Sequence, residues 1–339
     1  MPVHVVVGGF FGDEGKGRVA AHLALARRPW ACARTGATNA GHTVVYQGRV
    51  WKLRATPSGF LHPRARLYIA RGALVDLEVF LAEAEALGLQ GRIWLDYNTG
   101  VITRDHVERE RSDPHLMKTI GSTGTGVGAA MVDRVLRRLR LARDYPELRG
   151  YLADTQAELL DALDRGELVL VEASQGYWLS LYHGTYPYVT SRDTTAAAAL
   201  SELGLGPRSV ERVTVVLKAY VTRVGGGPLP GELPQDKALE LGWAEYGTVT
   251  GRPRRVAPFN PELARRAVRA NAATDVALTK VDRVFPGARC RRRWEDLPRE
   301  ARAWIEEVED KLGVPVTVIG TGEDVECTID LSREKGVEA

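Results

Sequence analysis

Three short stretches of this 339-residue chain hold side chains that could do chemistry. The first is Gly8-Gly9-Phe10-Phe11-Gly12-Asp13-Glu14-Gly15-Lys16-Gly17-Arg18. A Gly-rich turn before a helix lets backbone N–H groups point at phosphate oxygens, and Lys16 adds a positive charge. This is not a regular Walker A loop. Phe10 stands where that pattern needs Gly, and Gly17 stands where a Ser or Thr would hold magnesium. A nucleotide loop without that hydroxyl needs another metal ligand, and Asp13 is the candidate. A plain packing turn would explain the glycines, but not a carboxylate and an amine in one anion pocket. The second stretch is Arg34-Thr35-Gly36-Ala37-Thr38-Asn39-Ala40-Gly41-His42-Thr43. Asn39 offers donor and acceptor, Gly41 allows close backbone approach, and His42 can donate a proton near neutral pH. The third is Thr248-Val249-Thr250-Gly251-Arg252-Pro253-Arg254. It supplies hydroxyls, backbone N–H groups at Gly251, and two guanidinium forks that fit carboxylates. The bland alternative there is a solvated basic loop.

These loops need a frame that ends strands beside helix starts. Short apolar runs at 4–7, 66–69, 92–95, 168–171, 213–220, 276–278 and 314–319 read as buried strands. Helical periodicity covers 18–26, 77–87, 151–163, 261–272 and 300–312, and 133–143 reads as a further helix. Apolar strands alternating with helices predict an α/β fold, a large mostly parallel sheet flanked by helices with smaller appended elements. We expect one such domain over 1–339. In these sheets ligands sit at the carboxyl ends of strands, and polar Gly-rich segments follow the strands repeatedly.

Composition narrows the function classes. Forty-six basic against 43 acidic residues leave a net charge of +3, too near balance for a nucleic-acid partner by bulk electrostatics. Only 8 of the basic residues are Lys. No run approaches the roughly 20 apolar residues of a membrane helix, so no membrane partner is expected. No basic leader precedes an apolar core near residue 1, and a secretory signal is not expected. Cys32, Cys290 and Cys327 are odd in number and form no C-x-x-C pattern. Neither a disulfide framework nor a zinc site is expected, and a reducing cytoplasm is the default.

Gly12-Asp13-Glu14-Gly15-Lys16-Gly17 followed by Asn39-Ala40-Gly41-His42-Thr43 closely resembles the adenylosuccinate synthetase family, which joins IMP to aspartate at the expense of GTP. The resemblance runs along nearly the whole chain. Pro57-Ser58-Gly59 is similar to the family's next turn. Ser122-Thr123-Gly124-Thr125-Gly126-Val127-Gly128, with Asp133-Arg134-Val135-Leu136-Arg137 after it, resembles its monophosphate loop. Gln175-Gly176, the run from His183 to Ser191, and Tyr246 to Arg255 complete the series. The length resembles the compact form typical of archaeal members.

The resemblance implies a GTP-dependent carbon–nitrogen ligase with magnesium as cofactor. Asp13 would be the base that removes the N1 proton of IMP, and a magnesium ligand together with the carbonyl of Gly41. His42 would be the general acid near the β–γ bridge of GTP. GTP would lie against Gly12, Glu14, Gly15, Lys16, Gly17 and Arg18, then Gly41, His42, Thr43 and Arg254. Its base would meet Lys280, Val281 and Asp282, where an Asp can accept both N1–H and N2–H of guanine, and Gly320, Thr321 and Gly322 on the other side. IMP would be held by Asp13, Lys16, Asn39, Thr123, Gln175, Thr190, Val224 and Arg252. Arg137 would reach the monophosphate of a neighbouring subunit in a homodimer. L-Aspartate would bind Thr248, Val249, Thr250, Gly251, Arg252 and Arg254.

The match departs at Phe10 and Phe11, which replace a Gln and a Trp, and at Ala257-Pro258, which replaces Gly-Trp. Val249, Thr125, Gly226 and Gly231 also depart from the pattern. None removes a residue with a proton or metal role. Two other readings are a relative that aminates dGMP and a non-catalytic GTP-binding paralogue. The dGMP group typically carries a small residue in place of the base Asp, so Asp13 favours IMP. A pure GTP switch has no use for a dicarboxylate site.

Overall fold

A strand covered on both faces must be apolar at successive positions rather than at alternate ones. Val3–Gly8 meets that rule and is buried throughout. The computed structural model describes residues 2–247, 251 and 253–337. In it Val3–Gly8 lies near the middle of a ten-stranded sheet. From one edge the order is Thr328–Asp330, Val316–Gly320, Asp275–Thr279, Val210–Lys218, Val3–Gly8, Val169–Glu172, Ala31–Arg34, Arg66–Ile69, Ile93–Asp96 and Leu152–Ala153. Neighbours are parallel except Val316–Gly320 with Thr328–Asp330. The expected α/β class is what the chain forms. Strand order reverses around Val3–Gly8, with Val210–Lys218 on one side and Val169–Glu172 on the other, and such a switch point opens a crevice at the strands' carboxyl ends.

Polar groups inside the sheet are paired. Asp275 is fully buried and accepts from Arg212 Nη2 at 2.7 Å, Arg212 Nε at 3.1 Å and the Thr214 hydroxyl at 3.0 Å, with Thr317 also bonded to it. This network ties three adjacent strands together. Burial pushes the Asp275 carboxyl up, but the hydrogen bonds and charge of Arg212 prevail and hold it below the usual carboxylate range.

The departures at Phe10, Phe11 and Ala257 are core substitutions. Phe10 is buried and meets Phe259 edge-on at 5.7 Å. Phe11 is buried beneath the Arg223 guanidinium, 4.4 Å from the ring centre. Ala257 is fully buried in the antiparallel pair of Tyr220–Arg223 with Arg255–Pro258.

Four expectations fail. The strand expected over 213–220 is two, Val210–Lys218 in the main sheet and Tyr220–Arg223 paired with Arg255–Pro258. The helix expected over 133–143 is Val127–Val135, and Arg137 follows it in a left-handed conformation at φ 60°. The amides of Arg138 and Leu139 turn back onto the Asp133 carbonyl at 2.8 and 3.2 Å, closing the helix end. The helix expected over 151–163 is Thr155–Asp164, because Asp154 caps it by accepting from the Ala157 amide at 3.1 Å. Tyr151 instead ends the 3-10 turn Pro146–Tyr151, and Leu152–Ala153 joins the sheet edge. Finally, Cys290 and Cys327 form a disulfide across 37 residues, and Cys32 is free and buried. Spacing could not show this, because the two meet only where the chain returns after Val316–Gly320. Among the described residues no helix is long and apolar enough to cross a membrane.

Replacing Asp275 by Ala should lower unfolding free energy by about 3–5 kcal/mol, since it strands the Arg212 charge in the interior. Urea titration would read this. The Asp275 contribution is present above the ordinary carboxylate pKa and is lost as pH falls through the depressed folded value. The gap between wild type and variant should therefore close in acid. A gap that persists at the lowest folded pH would refute this account.

Candidate active site

The strand Val3–Gly8 delivers the chain to the loop and the loop turns sharply. Gly12, Asp13 and Gly15 have φ of 83°, 65° and 87°. Left-handed backbone suits Gly, and Asp tolerates it better than most residues. Gly15 caps Lys16–Arg27 without a side-chain hydrogen bond, so no side chain competes for the first-turn amides. Glu14 is buried and shapes the loop from inside. Its carboxylate accepts from the Phe10 and Gly12 amides at 2.9 Å each and from Lys16 Nζ at 2.6 Å. The Glu14 side chain is therefore spent on its own loop and on Lys16.

Gly17 is required by closeness rather than by its dihedral angles. A Cβ there would lie 2.7 Å from His42 Cβ and 2.7 Å from Ser58 Oγ. His42 opens the strand His42–Tyr46, which pairs antiparallel with Arg49–Leu53. Its Nδ1 is bonded to the buried carboxylate of Glu172. Glu172 also accepts from the Ser58 amide and hydroxyl, each at 2.6 Å. Burial, then the Arg34 charge, lowers the His42 pKa, while Glu172 opposes both. Burial pushes the Glu172 carboxyl up, but His42, Arg34 and Ser58 together hold it well below the usual range. Arg34 braces the second stretch by donating to the carbonyls of Ala40 at 2.7 Å and Thr56 at 2.8 Å.

A cleft of about 430 Å³ opens over these groups. The first loop from Gly12 to Arg18 lines it, and so do Asn39 and the run from Gly41 to Thr43. Gln175 and Thr123 close the far wall with Val224. Gln175 Nε2 donates to Asn39 at 2.9 Å, and its Oε1 is buried with no partner. Arg254 enters from the other side, in contact with Asp13 and 2.7 Å from Glu245. Glu245 also receives Lys218 at 2.9 Å and the Tyr220 hydroxyl. Burial lowers the Arg254 pKa to about 10, which leaves it charged at neutral pH.

Residues 280–282 and 320–322 form a braced wall. Lys280 lines the cleft at the start of the short helix Val281–Val284. Val281 is fully buried. Asp282 Oδ1 is buried without a partner. Thr321 is fully buried, with its hydroxyl on the Arg291 carbonyl at 2.7 Å. Gly322 lines the cleft, and Gly320 sits where a Cβ would meet Arg18 Nη1 at 2.7 Å. Arg18 itself donates to the Asp324 carbonyl at 3.1 Å and the Thr328 hydroxyl at 2.8 Å. The Cys290–Cys327 bond crosses behind this wall, where the Cys290 amide also donates to the Thr321 carbonyl at 2.7 Å.

Four expected residues, Thr248, Val249, Thr250 and Arg252, lie outside the described residues. Gly251, Thr190, Val281, Asp282, Gly320 and Thr321 are not among the lining residues, and Arg137 is exposed away from the cleft. Sequence reading missed Glu172, Ser58, Glu245 and Lys218. The one available signal was a carboxylate directly after an apolar run, as in Leu168-Val169-Leu170-Val171-Glu172.

A parallel sheet whose central strand runs through such a loop into an uncapped helix, with carboxylate and imidazole facing one cleft, defines a nucleotide-binding α/β enzyme. The adenylosuccinate synthetase family model matches residues 5–143 and 139–289. An adenylosuccinate synthetase from Archaeoglobus fulgidus is 48% identical over 336 residues, covering 99% of this chain and 100% of that one. The structure of fully ligated adenylosuccinate synthetase from Plasmodium falciparum has the same fold, with a TM-score of 0.90 at 23% identity over 97% of this chain and 100% of that one. The succinoaminodeoxyadenylate synthetase of cyanophage S-2L, bound to dGMP and dATP as an energy donor, has a TM-score of 0.81 at 28% identity over 99% and 98%. The chain belongs to the adenylosuccinate synthetase family. It is a carbon–nitrogen ligase of that family, which is GTP-dependent.

Cys290→Ser should lower unfolding free energy by about 2–4 kcal/mol under non-reducing conditions, as expected for opening a loop of this length. Added reductant should then change nothing further. An unchanged denaturation midpoint would show that the two sulfurs are not joined in solution.

Proposed function

We propose that this chain ligates L-aspartate to IMP at Asp13 and His42, giving adenylosuccinate, GDP and phosphate. The observation that carries the reading is that Asp13 and His42 face one cleft, beside the amide-rich start of Lys16–Arg27. Asp13 takes the N1 proton of IMP, and charge moves onto O6. O6 attacks the γ-phosphorus of GTP, and GDP leaves. The aspartate amine then adds at C6, and phosphate departs with the former O6. Splitting the substitution in two replaces a poor leaving group with a good one.

The cleft's residues support each part. First-turn amides and Lys16 suit the phosphates of a nucleotide. Burial favours neutral His42, and a triphosphate beside its ring favours the protonated, donating form. Asp282, between the lining residues Lys280 and Arg283, has an unpartnered Oδ1 that suits the paired donors of guanine. The unpartnered Gln175 Oε1, beside Asn39, suits IMP. Arg254 suits an anion that draws it from Asp13, which must be free to act as base. The aspartate-binding role of 248–252 rests on sequence.

Asp13 and the Gly41 carbonyl offer hard oxygen donors on the same cleft, which fits magnesium shared with phosphate oxygens. When bound, the ion would neutralise charge building on the transferring phosphoryl group. The reading places the reaction in the cytoplasm.

Arg137 is exposed, and Val132, Val135 and Leu136 beside it are 54%, 68% and 50% exposed. An apolar patch of this kind suits a second copy, and Arg137 would then complete the neighbour's site. Mixing Asp13→Asn with Arg137→Leu protein should recover activity that neither has alone. No recovery from a mixture that forms dimers would refute the sharing.

Asp13→Asn should lower kcat about 1000-fold, within the range for loss of a general base. Product absorbance in assays that cross IMP and dGMP with GTP and ATP reads both rate and choice. Wild-type protein that turns over dGMP but not IMP would overturn the substrate, and a near-normal rate in Asp13→Asn would overturn the base.

A further inference from the structure

We propose that Glu172 is a positioning residue that fixes the proton of His42 on Nδ1 and so presents Nε2 to the nucleotide. The inference rests on the role given to His42 above and adds a residue to it. Glu172 ends the strand Val169–Glu172 at the carboxyl edge of the sheet and is 2% exposed. It has three neighbours with hydrogens to give. The Ser58 amide can only donate, and does so at 2.6 Å to Oε2. The Ser58 hydroxyl donates at 2.6 Å to Oε1, the same oxygen that His42 Nδ1 meets. Arg34, the next strand's residue in register with Glu172, adds a buried positive charge. A carboxylate so surrounded acts as acceptor, so the proton between it and the imidazole belongs to Nδ1.

The ring cannot easily turn away. Gly17 packs against His42 Cβ, where a methyl group would already clash at 2.7 Å, and Ser58 Oγ closes the same gap. Ser58 belongs to the short 3-10 turn Ser58–Leu61, which packs on Lys16–Arg27. The Pro57-Ser58-Gly59 turn thereby acquires a purpose. It holds Glu172, which holds His42, while Arg34 anchors the chain on either side through Ala40 and Thr56. Glu172 is not among the residues that line the cleft. It acts through His42.

Glu172→Gln keeps the size of the side chain but offers Nδ1 either a donor or an acceptor. In assays with IMP, GTP, aspartate and magnesium, kcat should fall about 10- to 100-fold, as for other partners that orient a functional imidazole. KM for IMP and GTP should stay within about threefold, because the side chain touches neither. Glu172→Asp should recover part of the loss. In a His42→Ala background Glu172→Gln should cost nothing more. Ring nitrogen signals of His42, read by NMR on protein labelled at histidine, should report a single Nδ1-protonated form in wild type and a mixture in Glu172→Gln.

A loss of the same size with and without His42 would mean that Glu172 only supports the fold, and would overturn the proposal. So would unchanged kcat in Glu172→Gln, or identical ring nitrogen signals in the two proteins. Full kcat in His42→Ala would instead sink the role of His42 itself, and the ring signals would still decide whether Glu172 places the proton.

Discussion

A charged carboxylate removed from water has to be met where it lies, and the cleft is organised around two of them. Glu14 is 1% exposed and Glu172 is 2% exposed. One collects its donors locally, and the other from segments distant in sequence. Glu14 gathers two amides of its own loop and Lys16. Glu172 gathers Ser58 and His42. Breaking either set would strand a buried charge, so the donors have little freedom. Rigidity in the first loop and in the His42 strand follows from this need rather than from the propensity of either segment.

The sheet decides which donors are available. Val3–Gly8 and Val169–Glu172 are adjacent and parallel, so the loop after the first and the carboxylate ending the second reach the same edge. Ala31–Arg34 lies beside Val169–Glu172, which brings Arg34 into register with Glu172. On the other side Asp275–Thr279 and Val316–Gly320 bring up Lys280, Asp282 and Gly322. Five strands spread along the sequence thus build one cleft. A parallel arrangement does this because all its strands end on one side.

That geometry explains which parts were legible. Strands and helices with long apolar periodicity were legible to within a few residues, as with 300–312 against the observed Arg299–Leu312. The first loop was legible because Gly, Lys and Asp each answer a separate need there. Glu172 was not, because a Glu at a strand end looks like any exit into solvent until Arg34 and Ser58 are seen around it. The Cys290–Cys327 bond was hidden for the same reason, since its partners meet only through the order of strands. The end of Val127–Val135 was misplaced because Leu136 to Arg143 continues to look helical, while the turn at Arg137 is closed by the Asp133 carbonyl.

The two walls of the cleft are held by different means, and this bears on how each can move. The first-loop side is pinned by buried charges at the sheet's centre. The side of Lys280 and Gly322 hangs from the sheet's edge, where Val316–Gly320 has only Thr328–Asp330 beyond it. There Arg18 reaches across to Asp324 and Thr328, and Cys327 is bonded to Cys290. An edge has fewer neighbours to share its load, so a covalent link and a buried guanidinium stand in for a further strand. The Arg254 side has no such covalent link among the described residues. Its approach is held at Glu245, where Lys218, Tyr220 and Arg254 converge, and Arg254 in turn contacts Asp13. The residue that would take the proton is therefore coupled to the segment that would carry the amine, through a single guanidinium shared between two carboxylates.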